Sequence, residues 1–284
     1  MPPGTLYLVG TPIGNLEDIT FRAVQVLQAV DWIAAEDTRH TGRLLHHFQI
    51  TTPQLSYHQH NRRQRQAELL TKLAAGASIA LVSDAGMPGI ADPGWELVQA
   101  CVAATIPVVP IPGANAAIAA LVASGLPTDC FTFLGFLPPK GRERGDRLQA
   151  LGRSPHTLVL YEAPHRLRAT LADLAQACGP ERAVALAREL TKRYEEFWRG
   201  TLAEAIAAYA EREPRGEFTL VLAGAAPTAA SNPTPAELRA ALAEQLAAGL
   251  SRSQACRHVA AATAVSRRQL YQLALELPDT SEAD

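Results

Sequence analysis

A chain of 284 residues with 48% apolar and 19% charged side chains has the composition of an ordinary globular protein, long enough for two modest cores and a remainder, and not that of a disordered or fibrous one. Its net charge of −2 excludes a broad positive field for coating nucleic acid without specificity, so any RNA contact falls to local basic clusters at Arg39 to His47, His58 to Arg65, Lys140 to Arg147, and Arg252, Arg257, His258, Arg267 and Arg268. No apolar run approaches the roughly 20 residues of a membrane span, the N-terminus lacks a basic-then-apolar leader, and Cys101, Cys130, Cys178 and Cys256 form no C-x-x-C pair; a cytoplasmic protein with reduced thiols is expected.

From the start, short β-branched or leucine-rich runs alternate with longer amphipathic ones, the pattern of an α/β sheet. Strands are predicted at Leu6 to Val9, Trp32 to Ala35, Ile79 to Val82 and Pro107 to Val109. Helices are predicted around Phe21, Val24 and Leu27, over Arg62 to Ala75, and over Trp95 to Ala104. A second series follows Gly125-Leu126-Pro127: strands at Phe131 to Phe136, Thr157 to Tyr161, Ala183 to Ala187, Glu196 to Arg199 and Phe218 to Leu222, with helices at Arg166 to Ala177 and Leu202 to Ala210. Its closer, less regular spacing predicts a mixed sheet.

The stretch Ala225 to Pro235 reads as a linker that ends in a helix start at Thr234-Pro235. Beyond it Leu238, Leu242 and Leu246 repeat every four residues and Gly249 stops the helix. Ser251 or Ser253 can cap a second helix and Ser266 a third. Three short helices of this kind fit a helix-turn-helix that presents Arg267 and Arg268 to nucleic acid, and equally a small cap with a solvated basic face. The expected division is residues 1–125 and 126–226 as α/β domains, 227–233 as linker and 234–284 as a helical tail.

No G-x-G-x-x-G follows a strand, and no G-x-x-x-x-G-K-[ST], H-E-x-x-H or G-x-S-x-G occurs. The His46-His47 pair and His58-x-His60 lack ligating partners at helical spacing, so no metal is expected. Three junctions after predicted strands are instead dense in Gly and Pro: Gly10 to Asn15, Ser83 to Gly94 and Pro110 to Asn115. One such loop is a tight turn; three in one domain point to a shared ligand crevice beyond the carboxyl ends of the strands, where glycine lets backbone approach closely. Charged residues mark further junctions at Glu36-Asp37-Thr38-Arg39, Glu162 to Arg166 and Glu189 to Lys192. There Asp37 or Thr38 can cap a helix, and Glu162 can pair with Arg166.

The segments TPIGNLEDIT (Thr11 to Thr20), EDTR (Glu36 to Arg39), SDAGMPGIADPG (Ser83 to Gly94) and PGANAA (Pro112 to Ala117) resemble the tetrapyrrole-methylase superfamily. Within it, GFLPPKGRER, YEAPHRL, ARELTK and GEFTLVLAG extend the resemblance to the ribosomal RNA small-subunit methyltransferase I family, from about Leu6 to Gly224. That resemblance implies two α/β domains with S-adenosylmethionine in the cleft between them, a homodimer, and methylation of a cytidine 2′-hydroxyl in the decoding region of 16S ribosomal RNA in the small subunit. It implies cofactor contacts at Pro12, Ser83, Asp84, Ala85, Gly86, Met87, Pro88, Pro112, Gly113, Ala114 and Ala116. Tyr161, Leu190, Phe218 and Thr219 would complete the adenine pocket. Met87 and Ala114-Asn115 depart from the expected residues, harmlessly if the backbone makes those contacts.

In-line transfer needs an aligned nucleophile and assistance in removing its proton. The candidate bases are Asp18, Glu36, Asp37 and Glu162, with Asn15 orienting the sugar and Arg39, His165, Arg166 and Lys192 holding phosphates. Two other readings are carbon methylation of a tetrapyrrole and a nucleic-acid-binding sensor without turnover. The basic clusters and helical tail favour RNA over the first, and the density of motifs favours an enzyme over the second.

Overall fold

The computed structural model describes residues 2–226, 233–263 and 265–277. The chain divides into one compact unit up to Gly224 and a second from Ala225.

The first unit opens with β1 (Leu6–Val9), α1 (Phe21–Ala29), β2 (Trp32–Ala35), α2 (Thr38–His47), β3 (Gln54–Ser56), α3 (Arg62–Ala74), β4 (Ile79–Val82), α4 (Trp95–Ala103), β5 (Val108–Ile111) and α5 (Ala116–Ser124). Its sheet is wholly parallel, ordered β3-β2-β4-β1-β5, with Leu6 facing Ile79 on one side and Val108 on the other. Alternate residues feed opposite faces. Val9, Ile33, Ala35, Ala80 and Val82 pack under Ala23 and Leu27 of α1, whereas Leu6, Ala34, Ile79 and Leu81 pack under Leu69 and Leu73 of α3 and Leu97 of α4. Covered on both faces, β4 is buried at every residue, which is why it reads as a continuous apolar run. The expected strand at Pro107 to Val109 instead runs on through Pro110. Because β5 is an edge strand, a residue without an N–H is tolerated there.

The second sheet comprises β6 (Phe131–Phe136), β7 (Thr157–Glu162), β8 (Ala183–Arg188), β9 (Glu196–Thr201) and β10 (Phe218–Leu222), with α6 (Arg142–Arg153), α7 (Pro164–Cys178) and α8 (Leu202–Glu211) between them. Its order is β6-β7-β10-β8-β9; β6 and β7 run parallel and the remaining pairs antiparallel, so the sheet is mixed as its spacing predicts. One face carries large residues, Leu158, Leu160, Leu186 and Leu220, under Leu167, Leu171 and Leu174 of α7 and Leu202 and Tyr209 of α8. The other carries Val159, Ala185, Ala187 and Val221, small enough for α5 to lie close through Ala117, Ala120 and Leu121. Thus α5, which leaves the first sheet, covers the second, and Gly125 ends it in the left-handed conformation (φ 81°).

In the second unit, α9 (Pro235–Ala247) and α10 (Arg252–Ala262) each begin with a capping box, Thr234 with Glu237 and Ser251 with Gln254, and Ser266 caps α11 (Arg267–Leu275). Leu238, Leu242, Cys256, Val259 and Leu270 form its core. Most of the expected linker, 227–232, lies outside the described residues. None of the described helices is long and apolar enough to cross a membrane.

Leu220 sits on the central strand with no exposure. Leu220→Ala should therefore cost about 2–5 kcal/mol in urea unfolding, because the packed sheet relaxes only partly into the space left.

Candidate active site

The loops after β1, β4 and β5 are tied into one wall. Thr11 and Gly86 exchange backbone hydrogen bonds (3.0 and 3.1 Å), the Thr11 hydroxyl donates to the Ser83 carbonyl (3.1 Å), and the Gly10 N–H donates to the Ile111 carbonyl (3.2 Å). A Cβ on Gly10 would lie 2.8 Å from the Gly113 Cα, and one on Gly113 would lie 2.9 Å from the backbone of Gly10, so only a glycine pair allows this approach. Gly86 takes φ 84° beneath the Ala114 carbonyl. Asn115 caps α5 by accepting from the Ile118 N–H (3.1 Å), which accounts for a polar residue at that position.

Between this wall and the second sheet lies a largely apolar cavity of about 440 Å³, within the usual size of small-molecule sites. Ile13, Ala85, Gly86, Met87 and Ala116 line one side; Tyr161, Leu190, Phe218 and Thr219 line the other. Tyr161 is held edge-on by Phe133 and Phe136, with ring centroids 5.0 and 5.7 Å away. Among the residues expected at a cofactor, Gly113 supports the wall from behind, while Pro88, Pro112 and Ala114 do not line the cavity. Pro12, Ser83 and Asp84 line a second cavity, of about 260 Å³, formed with α2. The two cavities share the loops after β1 and β4, in consecutive residues.

The four carboxylates named from sequence have different surroundings. Asp18 ends an exposed 3-10 turn, Leu16–Asp18, capped by Asn15, and lines neither cavity. Asp37 caps α2 and holds the Arg39 guanidinium at 2.8 Å, which keeps its carboxyl well below the usual range. Glu162 is 2% exposed and fully engaged: it accepts from the Thr170 hydroxyl (2.6 Å) and the Ala163 N–H (2.9 Å) and pairs with Arg166 (3.2 Å), which also donates to the Leu137 carbonyl. Glu36 accepts from the Asp84 N–H (3.3 Å), and burial, then the charges of Asp92 and its other acidic neighbours, pushes its carboxyl up.

Around the cavity mouth, His165 and Lys192 contribute to the lining. Lys192 is held between Glu189 (2.9 Å) and Glu217 (2.6 Å). Glu189 and Thr191 adopt left-handed φ of 51° and 64°, strain that aims the intervening Leu190, and a Cβ on Gly14 would strike the Lys192 side chain at 2.3 Å. The β1 loop therefore packs directly on the Glu189–Lys192 turn. Arg39 is exposed beside Asp37, and Arg267 and Arg268 open α11 in the other unit, facing solvent.

Sequence reasoning passed over Asp92, although it stands within the Ser83 to Gly94 motif. It lines the large cavity, and burial together with the Asp84 charge raises its carboxyl against the opposing effect of the Ser83 hydroxyl. An acid among glycines and prolines was the available signal. Phe136 and Glu217 also line the large cavity; both stand inside the motif segments GFLPPKGRER and GEFTLVLAG, without having been assigned a role there.

Two sheets joined by a glycine-built cleft are the architecture of a methylase: the model for Tetrapyrrole (Corrin/Porphyrin) Methylases matches residues 5–206, and that for the RsmI C-terminal HTH domain matches 232–278. A uroporphyrin-III-C-methyltransferase from Thermus thermophilus superposes with a TM-score of 0.56 at 25% identity, over 78% of this chain and 94% of that one. The Thermus thermophilus uroporphyrin-III C-methyltransferase complexed with S-adenosyl homocysteine superposes with a TM-score of 0.54 at 21% identity, over 77% of this chain and 97% of that one. The Ribosomal RNA small subunit methyltransferase I of Synechocystis sp. is 62% identical over 96% of this chain and 98% of its own length. The chain belongs to the ribosomal RNA small subunit methyltransferase I family of tetrapyrrole methylases.

Because the Thr170 hydroxyl satisfies a buried carboxylate, Thr170→Val should lower stability by about 1–3 kcal/mol in urea unfolding. The same loss is expected with or without ligand, since Glu162 serves the fold.

Proposed function

We propose that this protein transfers the methyl group of S-adenosylmethionine to the 2′-hydroxyl of a cytidine in the decoding region of small-subunit ribosomal RNA. The observation that carries the reading is the apolar cavity lined by Gly86, on loops held together by the Gly10–Gly113 contact, in a chain 62% identical to a Ribosomal RNA small subunit methyltransferase I. The cavity fits such a cofactor: its glycine-built wall lets backbone approach a ligand, and Tyr161, Leu190 and Phe218 offer an apolar seat for a purine. When bound, the cofactor supplies an electrophilic methyl carbon with a neutral thioether as leaving group.

The chain's own contribution is alignment and proton removal. Alignment of the three reacting atoms is worth about 7–11 kcal/mol where it is complete, and the bonded loops after β1, β4 and β5 form a rigid surface for it. For the proton, Asp92 has the best combination of location and basicity, since it lines the cavity and is raised above ordinary carboxylates. Glu36 is raised but lies beside Asp84, Asp37 is committed to Arg39, and Glu162 is fully hydrogen-bonded. Lys192 and Arg39 are the cations offered to phosphates and His165 a ring N–H donor, with Arg267 and Arg268 on the tail.

We read the chain as a cytoplasmic homodimer, a state supported by exposed Ile118 and Val122 on the outer face of α5. Carbon methylation of a tetrapyrrole is the weaker reading, since the tetrapyrrole enzymes resemble the chain at 25% identity or less.

Label from tritiated S-adenosylmethionine should enter 2′-O-methylcytidine when small subunits lacking the modification are supplied. Cofactor binding without transfer to subunits or free RNA would overturn the assignment. Asp92→Asn should lower kcat by about 100-fold or more, leave cofactor affinity within a few-fold, and abolish the limb of the pH profile that rises as this raised carboxyl ionises. Stability has the opposite sign: a carboxyl raised in the folded state costs stability once ionised, so the variant should be at least as stable as the wild type at neutral pH.

A further inference from the structure

The second cavity is built for a flat polar ring. Pro12, Leu16 and Leu44 give it apolar walls, and two polar residues, Thr41 and Asp84, line the same space. Thr41 is 2% exposed, and its hydroxyl has no hydrogen bond to any described residue, unlike Thr71 and Thr263, which bond the carbonyl four residues back in their own helices. Asp84 gives one carboxylate oxygen to the Asp37 N–H (3.1 Å), and the other is not hydrogen-bonded among the described residues. A hydroxyl and a carboxylate oxygen on the cavity lining, neither bonded within the described residues, have hydrogen-bonding capacity free for a molecule that enters it.

We infer that this cavity binds the base of the target nucleotide, flipped out of its RNA stack, with Asp84 accepting from the exocyclic amine of cytosine and Thr41 bonding the ring's acceptor edge. The inference rests on the function proposed above and deepens it. It also moves Pro12, Ser83 and Asp84 from the cofactor to the substrate. Enzymes that act on a nucleotide within structured nucleic acid read the extruded base by its pairing edge in a close pocket. A carboxylate accepting from the cytosine N4 amine is the matching contact. Uracil has an oxygen there, and would set acceptor against acceptor.

The arrangement is consistent along the nucleotide. The loops after β1 and β4 line the base cavity through Thr11, Pro12, Ser83 and Asp84, and the cofactor cavity through Ile13, Ala85 and Gly86. A ribose lying over the Thr11–Gly86 bridge therefore stands between base and methyl donor. Asp92, close enough to Asp84 and Ser83 to feel both, is within reach of that sugar. Arg43, exposed on α2 at the rim, is a cation for the flanking phosphates, and the exposed His40 beside it offers a ring N–H.

The test uses the full-length protein, wild type and two variants, with small subunits whose methylated nucleotide is cytidine or is changed to uridine. Asp84→Asn keeps an oxygen for the Asp37 N–H while exchanging an acceptor for an amide. It should reduce the cytidine-to-uridine ratio of kcat/KM about ten-fold or more, within the range expected of one base contact. Thr41→Val, nearly isosteric, should lower kcat/KM for cytidine about ten-fold, with S-adenosylmethionine affinity by calorimetry unchanged in both variants. An unchanged base preference in Asp84→Asn with normal kcat/KM in Thr41→Val would overturn the inference alone. So would loss of cofactor affinity in Asp84→Asn with preference intact, which would return Asp84 to the cofactor. Absence of transfer by the wild type would overturn the parent reading and this inference together.

Discussion

The contact between Gly10 and Gly113 is the constraint on which the site depends. Two strand-end loops meet there at backbone distance, a third joins them through the Thr11–Gly86 bridge, and no side chain of any size fits between. The consequence is a wall made of peptide groups. Such a wall has no side-chain rotamers to fix when a ligand binds, and its Cα–H and amide surface can approach a ligand closely. The neighbouring prolines, Pro12, Pro88 and Pro112, further limit the loops' conformations.

The opposite wall reaches the site by different physics. Helix α5 starts at the glycine loop and packs on the second sheet, over a face whose residues are Ala or Val where the other face has Leu. Side-chain size on β7, β8 and β10 thus decides which helix lies on which face, and the small face brings the second sheet's strand ends to the first sheet's loops. The strained Glu189–Lys192 turn closes the gap, with Gly14 as the counterpart that leaves room for Lys192. Seen this way, glycines at 10, 14, 86 and 113 each mark a place where two polypeptide segments come together.

Every strand except β3 was legible as a short run bounded by turn residues, and the caps at Thr234, Ser251 and Ser266 because capping is local. The glycine loops were legible for the same reason. Helix α5 was not assigned, since Ala116 to Ser124 is apolar on nearly all sides and has no amphipathic rhythm to read. Strand β3 is three half-buried edge residues, too short for a pattern. Within the site, sequence marked the Gly- and Pro-dense loops but not the division between two cavities, because whether a residue such as Asp84 faces one side of the β4 loop or the other depends on how the loops cross. Nor could it separate the acids: Glu162 and Glu36 look alike in sequence, and only their hydrogen-bond partners distinguish a structural carboxylate from a titratable one.

That distinction explains how a chain of net charge −2 can meet a polyanion. Four carboxylates of the site are held by cations: Asp37 by Arg39, Glu162 by Arg166 with the Thr170 hydroxyl, and Glu189 and Glu217 sharing Lys192. What remains, Glu36, Asp84 and Asp92, is gathered around one loop, where burial and mutual repulsion raise Glu36 and Asp92 and so make each a stronger base than an isolated acid. Basic side chains occupy the surrounding rim, Arg43 and His40 on α2 and His165 beside the large cavity. Phosphates would meet basic side chains first, whereas the sugar hydroxyl of the proposed reaction, uncharged and needing to lose a proton, would meet the acids. Segregating charge by depth, with cations outside and carboxylates within, removes the need for a basic protein and uses the repulsion among the acids to set their basicity.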